Sequence, residues 1–334
     1  MADTTAAVPT VDASPVRIWL ARLGPFLGLL AVIIVFAALT DSPDQYLSVR
    51  NFRIVVAQTV IVALGAIGMT MIMVSGGIDL SVGSVIALTG VVTAIALRDG
   101  ASPPVAVLEG VLAGGLIGII NGLFITRLRV IPFIATLGTL GMARGVAKWI
   151  AGQQTVNVPP TWVNELAVTF PQPDWIIVAP GVWLTVLLAV LVSLVLRYTV
   201  FGRRVFAVGS NEAAARACGI PVDRLKVWIY GLAGLLFGLS GVMQMSRLRQ
   251  GDPTVAAGTE LDVIAAVVIG GGSLNGGEGT VLGSMVGALV MAFLRNGSQQ
   301  MGWPSYVQEI LIGVIIVVAV AIDRWRHSQR EDVE

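Results

Sequence analysis

Few side chains in this 334-residue sequence can do chemistry, and their types exclude most of it. One histidine, His327, and one cysteine, Cys218, cannot build a His/Cys metal cluster or a histidine-assisted nucleophile. The two lysines, Lys148 and Lys226, do not follow glycine, so no Walker A loop exists for ATP phosphates. No catalytic residue, metal or cofactor is therefore expected on this chain. What remains are polar residues that interrupt apolar runs. The most conspicuous interruption is VSGGIDLSVGS, Val74–Ser84. Gly76 and Gly77 let the backbone stop and restart there. Asp79 or Ser81 can cap the helix that follows, accepting its orphan N–H groups. A proton or ion site would need a partner acid or histidine, which the sequence does not offer. A direct contact with a transported molecule is the alternative to capping.

Three further features carry candidate chemistry. The segment 197–226 is long and basic, and its NEAAARACG stretch is built from helix formers. Asn211 can cap such a helix, Glu212 sits in its first turn, and Gly219 with Pro221 ends it. The short helix, with Ala213, Ala214 and Arg216 on it, is either an interfacial anchor or a docking element for a partner. GGGSLNGGEGT, at 270–280, fits neither a dinucleotide fingerprint nor a Walker loop, and reads as a turn that moves or a passive tight turn. Gln58, Asn121, Thr136, Thr139 and Asn296 are polar residues inside apolar runs. They can line a hydrophilic path or hydrogen-bond between helices. Of the ionisable residues near apolar runs, Arg144 and Lys148 lie one helical turn apart. They are expected to snorkel to an outer interface, or to receive an acidic partner surface. Glu109, Arg295 and Glu309 lie in or near such runs too.

These residues need an apolar frame. The sequence is 55% hydrophobic and 12% charged, about half the charge of a soluble domain. Stretches near 20 residues with little charge are long enough to cross about 30 Å of hydrocarbon. Ten spans are expected, at about 24–40, 54–74, 82–98, 104–126, 131–150, 176–196, 226–246, 259–271, 280–298 and 305–323. The eighth, ELDVIAAVVIGG, is short, so nine is the alternative count and a half-helix or re-entrant segment is expected over 259–280. The expected class is an all-α integral membrane protein with broken helices near 75–84 and 259–280. A disordered cytoplasmic N-terminus at 1–16, one transmembrane domain at 17–323 and a cytoplasmic tail at 324–334 complete the plan. The run after Arg17 and Arg22 is read as a retained helix and not a cleaved signal. Arginine and lysine concentrate at 127–130, 197–226 and 324–330 and are missing from 151–175, which places both termini in the cytoplasm. A formal net charge of +1 gives no ground for a nucleic-acid partner.

Four blocks resemble one family. They are GGIDLSVGSVIAL at 76–88, IPFIATLGTLGMARGVA at 131–147, GSNEAAARACGIPVDRLKVWIYGLAGLLFGLSGVM at 209–243 and ELDVIAAVVIGGGSLNGGEGTVLGSMVGAL at 260–289. Together they resemble the bacterial inner-membrane permeases of ABC sugar importers of the ribose, xylose and galactose type. The resemblance implies a pair of permeases, two copies or two paralogues, embedded in lipid. It implies cytoplasmic ATPase subunits that carry ATP and Mg, and a periplasmic sugar-binding protein. It implies import of a monosaccharide by alternating access, with Asn211–Gly219 as the element that couples to the ATPase. The glycine of EAAARACG falls one place later than in other ABC importers, so the role carries over and the detailed contacts do not. An ion-coupled secondary transporter or channel for a small polar solute is the rival reading. It predicts intramembrane carboxylates and indifference to the 209–226 segment.

Overall fold

A computed structural model describes residues 15–172 and 176–331. Expectations for 1–14 and 332–334 fall outside the described residues. Thirteen α-helices follow one another among them. They are α1 (Pro15–Leu39), α2 (Pro43–Tyr46), α3 (Val49–Val74), α4 (Val82–Arg98), α5 (Pro103–Thr126), α6 (Pro132–Ile150) and α7 (Pro180–Tyr198). After them come α8 (Val200–Ser210), α9 (Glu212–Ala217), α10 (Val222–Leu248), α11 (Thr259–Ile269), α12 (Val281–Gln300) and α13 (Ser305–Glu331). A two-residue strand β1 (Val156–Asn157) pairs antiparallel with β2 (Gln250–Gly251).

Local signals set the helix starts. Pro43, Pro103, Pro132 and Pro180 occupy first positions, where a missing N–H costs nothing. Ser48, Thr199, Asn211 and Thr280 accept a backbone N–H in the first turn of α3, α8, α9 and α12. Each expected span is a helix. Helices α3, α5, α7, α10 and α12 have both the length and the hydropathy to cross a membrane. The eleven residues of α11 rise only about 16 Å, so it is a half-helix. Two details differ from the sequence reading. The last helix continues past 323 to Glu331, and the basic segment holds a second helix, α8, ahead of α9.

The core is two four-helix units of the same plan, α3–α6 and α10–α13. In each, a long helix ends in a break, and a shorter helix then packs on the next two: α4 on α5 and α6, α11 on α12 and α13. The units interlock, because α10 packs on α5 and α3 packs on α12. They run in opposite senses. Ser240 of α10 donates to Ile61 of α3, while Gly68 of α3 meets Ala233 and Phe237 of α10, so these two helices are antiparallel.

Glycine makes the tightest of these contacts possible. Along α5, Gly114 and Gly118 lie against the backbone of Gly234, Gly238 and Tyr230 on α10. A methyl group at Gly118 would overlap the Tyr230 carbonyl oxygen, and one at Gly114 would overlap that of Gly234. Without a driving force from water, close backbone packing of this kind is what holds membrane helices together. Gly118→Leu should therefore force α5 and α10 apart and lower stability by at least about 2–3 kcal/mol. Gly28→Leu, on an open face of α1, should leave the melting temperature of the detergent-solubilised protein nearly unchanged. A matched pair of thermal melts checks both.

Candidate functional site

The two breaks sit at membrane depth. Gly65 of α3 lies against Val82, at the start of α4, and against Val263 of α11. It is about 13 Å from the α3 end at Val74 and about 24 Å from the end at Val49. So the chain after Val74 turns at Ser75 and Gly76, runs back into the bundle, and starts α4 deep inside it. The segment after α10 does the same from the opposite end. It leaves α10 at Arg249, passes Gly251 against Val91 and Ala94, and begins α11 at the depth of Gly83.

The first break is held by its own polar residues. Asp79 is 1% exposed. Its Oδ1 accepts from the Ser81 N–H at 2.7 Å and from the Ser81 hydroxyl at 2.6 Å. Its Oδ2 accepts from Asn121 Nδ2 of α5 at 3.1 Å, and the same amide donates to the Ser81 hydroxyl. Thr136 of α6 accepts from the Leu80 N–H at 3.1 Å, and the Tyr230 hydroxyl of α10 reaches the Ile78 carbonyl at 3.5 Å. The capping expected here thus takes a different form. Ser81 stands at the N-cap position of α4, but its hydroxyl donates to Asp79 and does not cap. Asp79 takes up the Ser81 N–H in an Asx-type turn, one residue ahead of the helix. Hydrogen bonds to a charged acceptor contribute about 1.5–3 kcal/mol each, which offsets the removal of this carboxylate from water.

The second break is held from outside itself. Arg144 of α6 donates Nη1 to the Pro253 carbonyl at 2.9 Å and to the Val255 carbonyl at 2.6 Å. This corrects the expectation that Arg144 snorkels to an interface, which Lys148, exposed at the last turn of α6, remains placed to do. Glu260 accepts from the Gly258 N–H, and its Oε2 lies over Gly83 of α4 together with the Ala256 carbonyl. Any side chain at Gly83 would push the two breaks apart. Asp262 is 3% exposed and pairs with Arg295 of α12 at 2.6 Å. The sequence reading picked out Arg295 but passed over Asp262, although an acid inside ELDVIAAVVI was the available signal. Tyr230 and Gly83 gave no signal of their own, since each is defined by what it meets.

Four of the five polar residues offered as path candidates make hydrogen bonds within the chain. Asn121, Thr136, Thr139 and Asn296 are all buried. Thr139 bonds to carbonyls of its own helix, and Asn296 exchanges hydrogen bonds of 2.9 Å with Asn51. Gln58 is half-buried on α3. Where these four side chains go is into the interior of one chain.

At the α9 end, three segments converge. Gly76 and Gly209 approach Gly276, and the Gly277 N–H donates to the Val74 carbonyl at 2.9 Å. Both Gly276 and Gly277 have positive φ, so the 270–280 turn threads between α3 and α8 where a side chain would collide. Helix α9 begins with Asn211 accepting from the Ala214 N–H at 2.9 Å. It ends with Gly219 at φ +79°, with Gly219 and Ile220 bonding back to Arg216 and Ala215. Ala213, Ala214 and Ala217 are exposed, whereas Ala215 is buried against the bundle. Glu212 pairs with Lys226 at 2.6 Å and with Arg216 at 2.9 Å, and Arg216 pairs with Asp223 at 2.6 Å. These pairs bind α9 to the first turns of α10, around a hollow of about 330 Å³ lined by Arg216, Pro221 and Asp223.

Residues 51–320 match the family described as the permease component of a branched-chain amino acid transport system. The chain belongs to this permease family. The permease is 38% identical over 295 residues to the ribose import permease protein of Escherichia coli (strain K12), covering 88% of this chain and 92% of the relative. It is 39% identical over 304 residues to the ribose import permease protein of Bacillus subtilis (strain 168), covering 91% and 92%. It is 33% identical over 302 residues to an L-arabinose ABC transporter permease protein of Azospirillum brasilense, covering 90% and 88%. No solved structure matches it.

Two outcomes follow from the site. Asp79→Asn should cost the permease no more than about 1 kcal/mol, because the introduced amide still accepts from Ser81 and can pair with Asn121 Oδ1, which has no partner among the described residues. Asp79→Leu should cost about 3 kcal/mol or more by stranding the Ser81 and Asn121 donors. Thermal melts in one detergent compare them. Partial desolvation pushes the Glu212 carboxyl up, but the bonds from Lys226 and Arg216 outweigh it and hold it below its ordinary value of 4.5. A depressed carboxyl stabilises the folded form fully above that value and loses the contribution as pH falls through the lower one. The anchoring of α9 should thus be flat from about pH 6 to 8 and loosen only in acid, read by a fluorophore on Cys218.

Proposed function

We propose that this permease is the membrane subunit of an ATP-driven importer that carries a monosaccharide from periplasm to cytoplasm by alternating access. The observation that carries the reading is α9, a capped helix with an exposed alanine face, fixed by ion pairs to the long helix α10. A rigid protrusion of small side chains suits the cleft of a second protein. In this reading α9 docks on a cytoplasmic ATPase subunit, which binds ATP and Mg and hydrolyses the nucleotide. Both termini and the 197–226 segment face the cytoplasm of a bacterial inner membrane, and 151–175 faces a periplasmic sugar-binding protein. The ribose and arabinose permeases among its relatives support a neutral sugar as cargo. So do the buried carboxylates. Asp79 and Asp262 are each held by donors, which suits a structural role better than the ion relay of a secondary transporter.

A second copy, or a paralogue, pairs with this chain along α6. On that helix Gly138, Gly141 and Gly145 have open space where a Cβ would stand. Bare glycine on a membrane helix allows a close approach by another helix or leaves room for a solute.

The test is uptake of D-ribose into proteoliposomes containing this permease, a cognate ATPase and a loaded binding protein. Uptake should require ATP and all three components. Sugar entry that persists without the ATPase would overturn the reading. In the same assay Glu212→Lys with Gly219→Val should cut uptake at least tenfold by misplacing α9, and co-purification with the ATPase should fall with it.

A further inference from the structure

We infer that Arg144 and Glu260, at the tip of the second break, form a hydrogen-bonding station for a polyhydroxylated solute halfway along the transport path. The inference rests on the reading of the chain as a sugar permease and assigns its contact residues.

The first ground is depth. The tip residues Ala256 and Glu260 pack on Gly83, at the level where α4 and α11 begin. Irregular backbone at such depth is tolerated only where protein buries it or where it borders a water-filled cavity. Yet Thr254 and Ala257 of this tip are exposed on the surface of the single chain. They cannot face hydrocarbon, because the non-helical backbone around them would be left without water. The open glycines Gly141 and Gly145 flank Arg144 on α6, so the same face continues onto that helix. A second copy that enclosed this face would leave a space bordered by the tip and by glycine.

The second ground is chemistry. Arg144 is half-buried, and Nη1 alone is taken up, by the Pro253 and Val255 carbonyls. No described residue bonds its Nε or Nη2. Glu260 is also half-buried, and its Oε1 accepts only the Gly258 N–H, at 3.2 Å. Among the described residues the two side chains do not form an ion pair with each other. A guanidinium donates and a carboxylate accepts. Arg144 bonds the tip at Val255 and Glu260 lies beside Ala256 over Gly83, so the same short segment offers a donor and an acceptor, the two functions a sugar hydroxyl can use. Their charges are opposite and neither is matched by charge on the solute, so a neutral sugar can be held briefly without being trapped. The buried polar residues of the break at Asp79 do not offer this, since their hydrogen bonds are already made inside the chain.

The test uses the full importer in proteoliposomes on a Cys218→Ser background, with D-ribose as the probe. Ala257→Cys should react with a membrane-impermeant thiol reagent in at least one nucleotide state, and D-ribose with ATP and binding protein should slow that reaction severalfold. Glu260→Ala should lower uptake at least tenfold and raise the ATP hydrolysed per sugar delivered. Glu260→Gln, the same shape without the charge, should fall between it and the parent, and it carries the test if the alanine variant does not assemble. Reaction of the introduced thiol only with a lipid-soluble reagent, or with neither reagent, would overturn the proposal. So would uptake unchanged in both Glu260 variants. Uptake by the parent without its ATPase would instead overturn the importer reading and leave the labelling result standing.

Discussion

Everything in this fold depends on one constraint: a backbone N–H or C=O left bare in hydrocarbon costs several kcal/mol. Long helices such as α3, α5 and α10 meet it by staying helical along their length. The two that start late, α4 and α11, meet it by recruiting side chains. Asp79, Thr136 and Tyr230 take up groups of the first break, and Arg144 takes up two carbonyls of the second. These residues come from α5, α6 and α10 or bond to them, so the breaks also decide which helices must be neighbours. The polar residues are therefore not decoration on an apolar bundle. They are the reason the bundle can contain a non-helical middle.

Close packing is the second half of the same solution. Helices that must present side chains to a break have to come near it, and glycine lets them. Gly114 and Gly118 bring α5 onto α10, Gly83 admits the tip of the second break, and Gly276 with Gly277 lets the 270–280 turn reach the end of α3. The two inverted units each contribute one break: the first is met by α5 and α6 of its own unit and by α10 of the other, and the second is met by α4 and α6 of the other unit.

Much of this was legible in the sequence. The helices are legible as runs of apolar residues, and the half-helix as the short run that begins at Glu260. Asn211 and Gly219 marked both ends of α9, because caps are local and a cap residue declares itself. Helix α8 is hard to see in the sequence because Arg203 and Arg204 break the apolar run that signals a helix, which leaves its cap at Thr199 as the local mark. The long-range contacts were not legible at all. Arg144 was expected at an interface, since snorkelling is the ordinary fate of a membrane arginine. A pair of unsatisfied carbonyls 109 and 111 residues further along gave it a partner nearer to hand. Asn121 and Thr136 were offered both as path residues and as helix contacts. The deciding fact, which way each side chain points, depends on helix rotation and not on composition.

Helix α10 has a mechanical consequence. Its 27 residues contain no internal proline and make a rod of about 40 Å. One end is bolted to α9 by the Lys226 and Asp223 pairs, and the other leads directly into the second break. A tilt of the rod by five degrees displaces its far end by about 3.5 Å, roughly the thickness of an aromatic ring. Leverage of this kind turns a small push at the surface into a displacement of several ångströms at the second break.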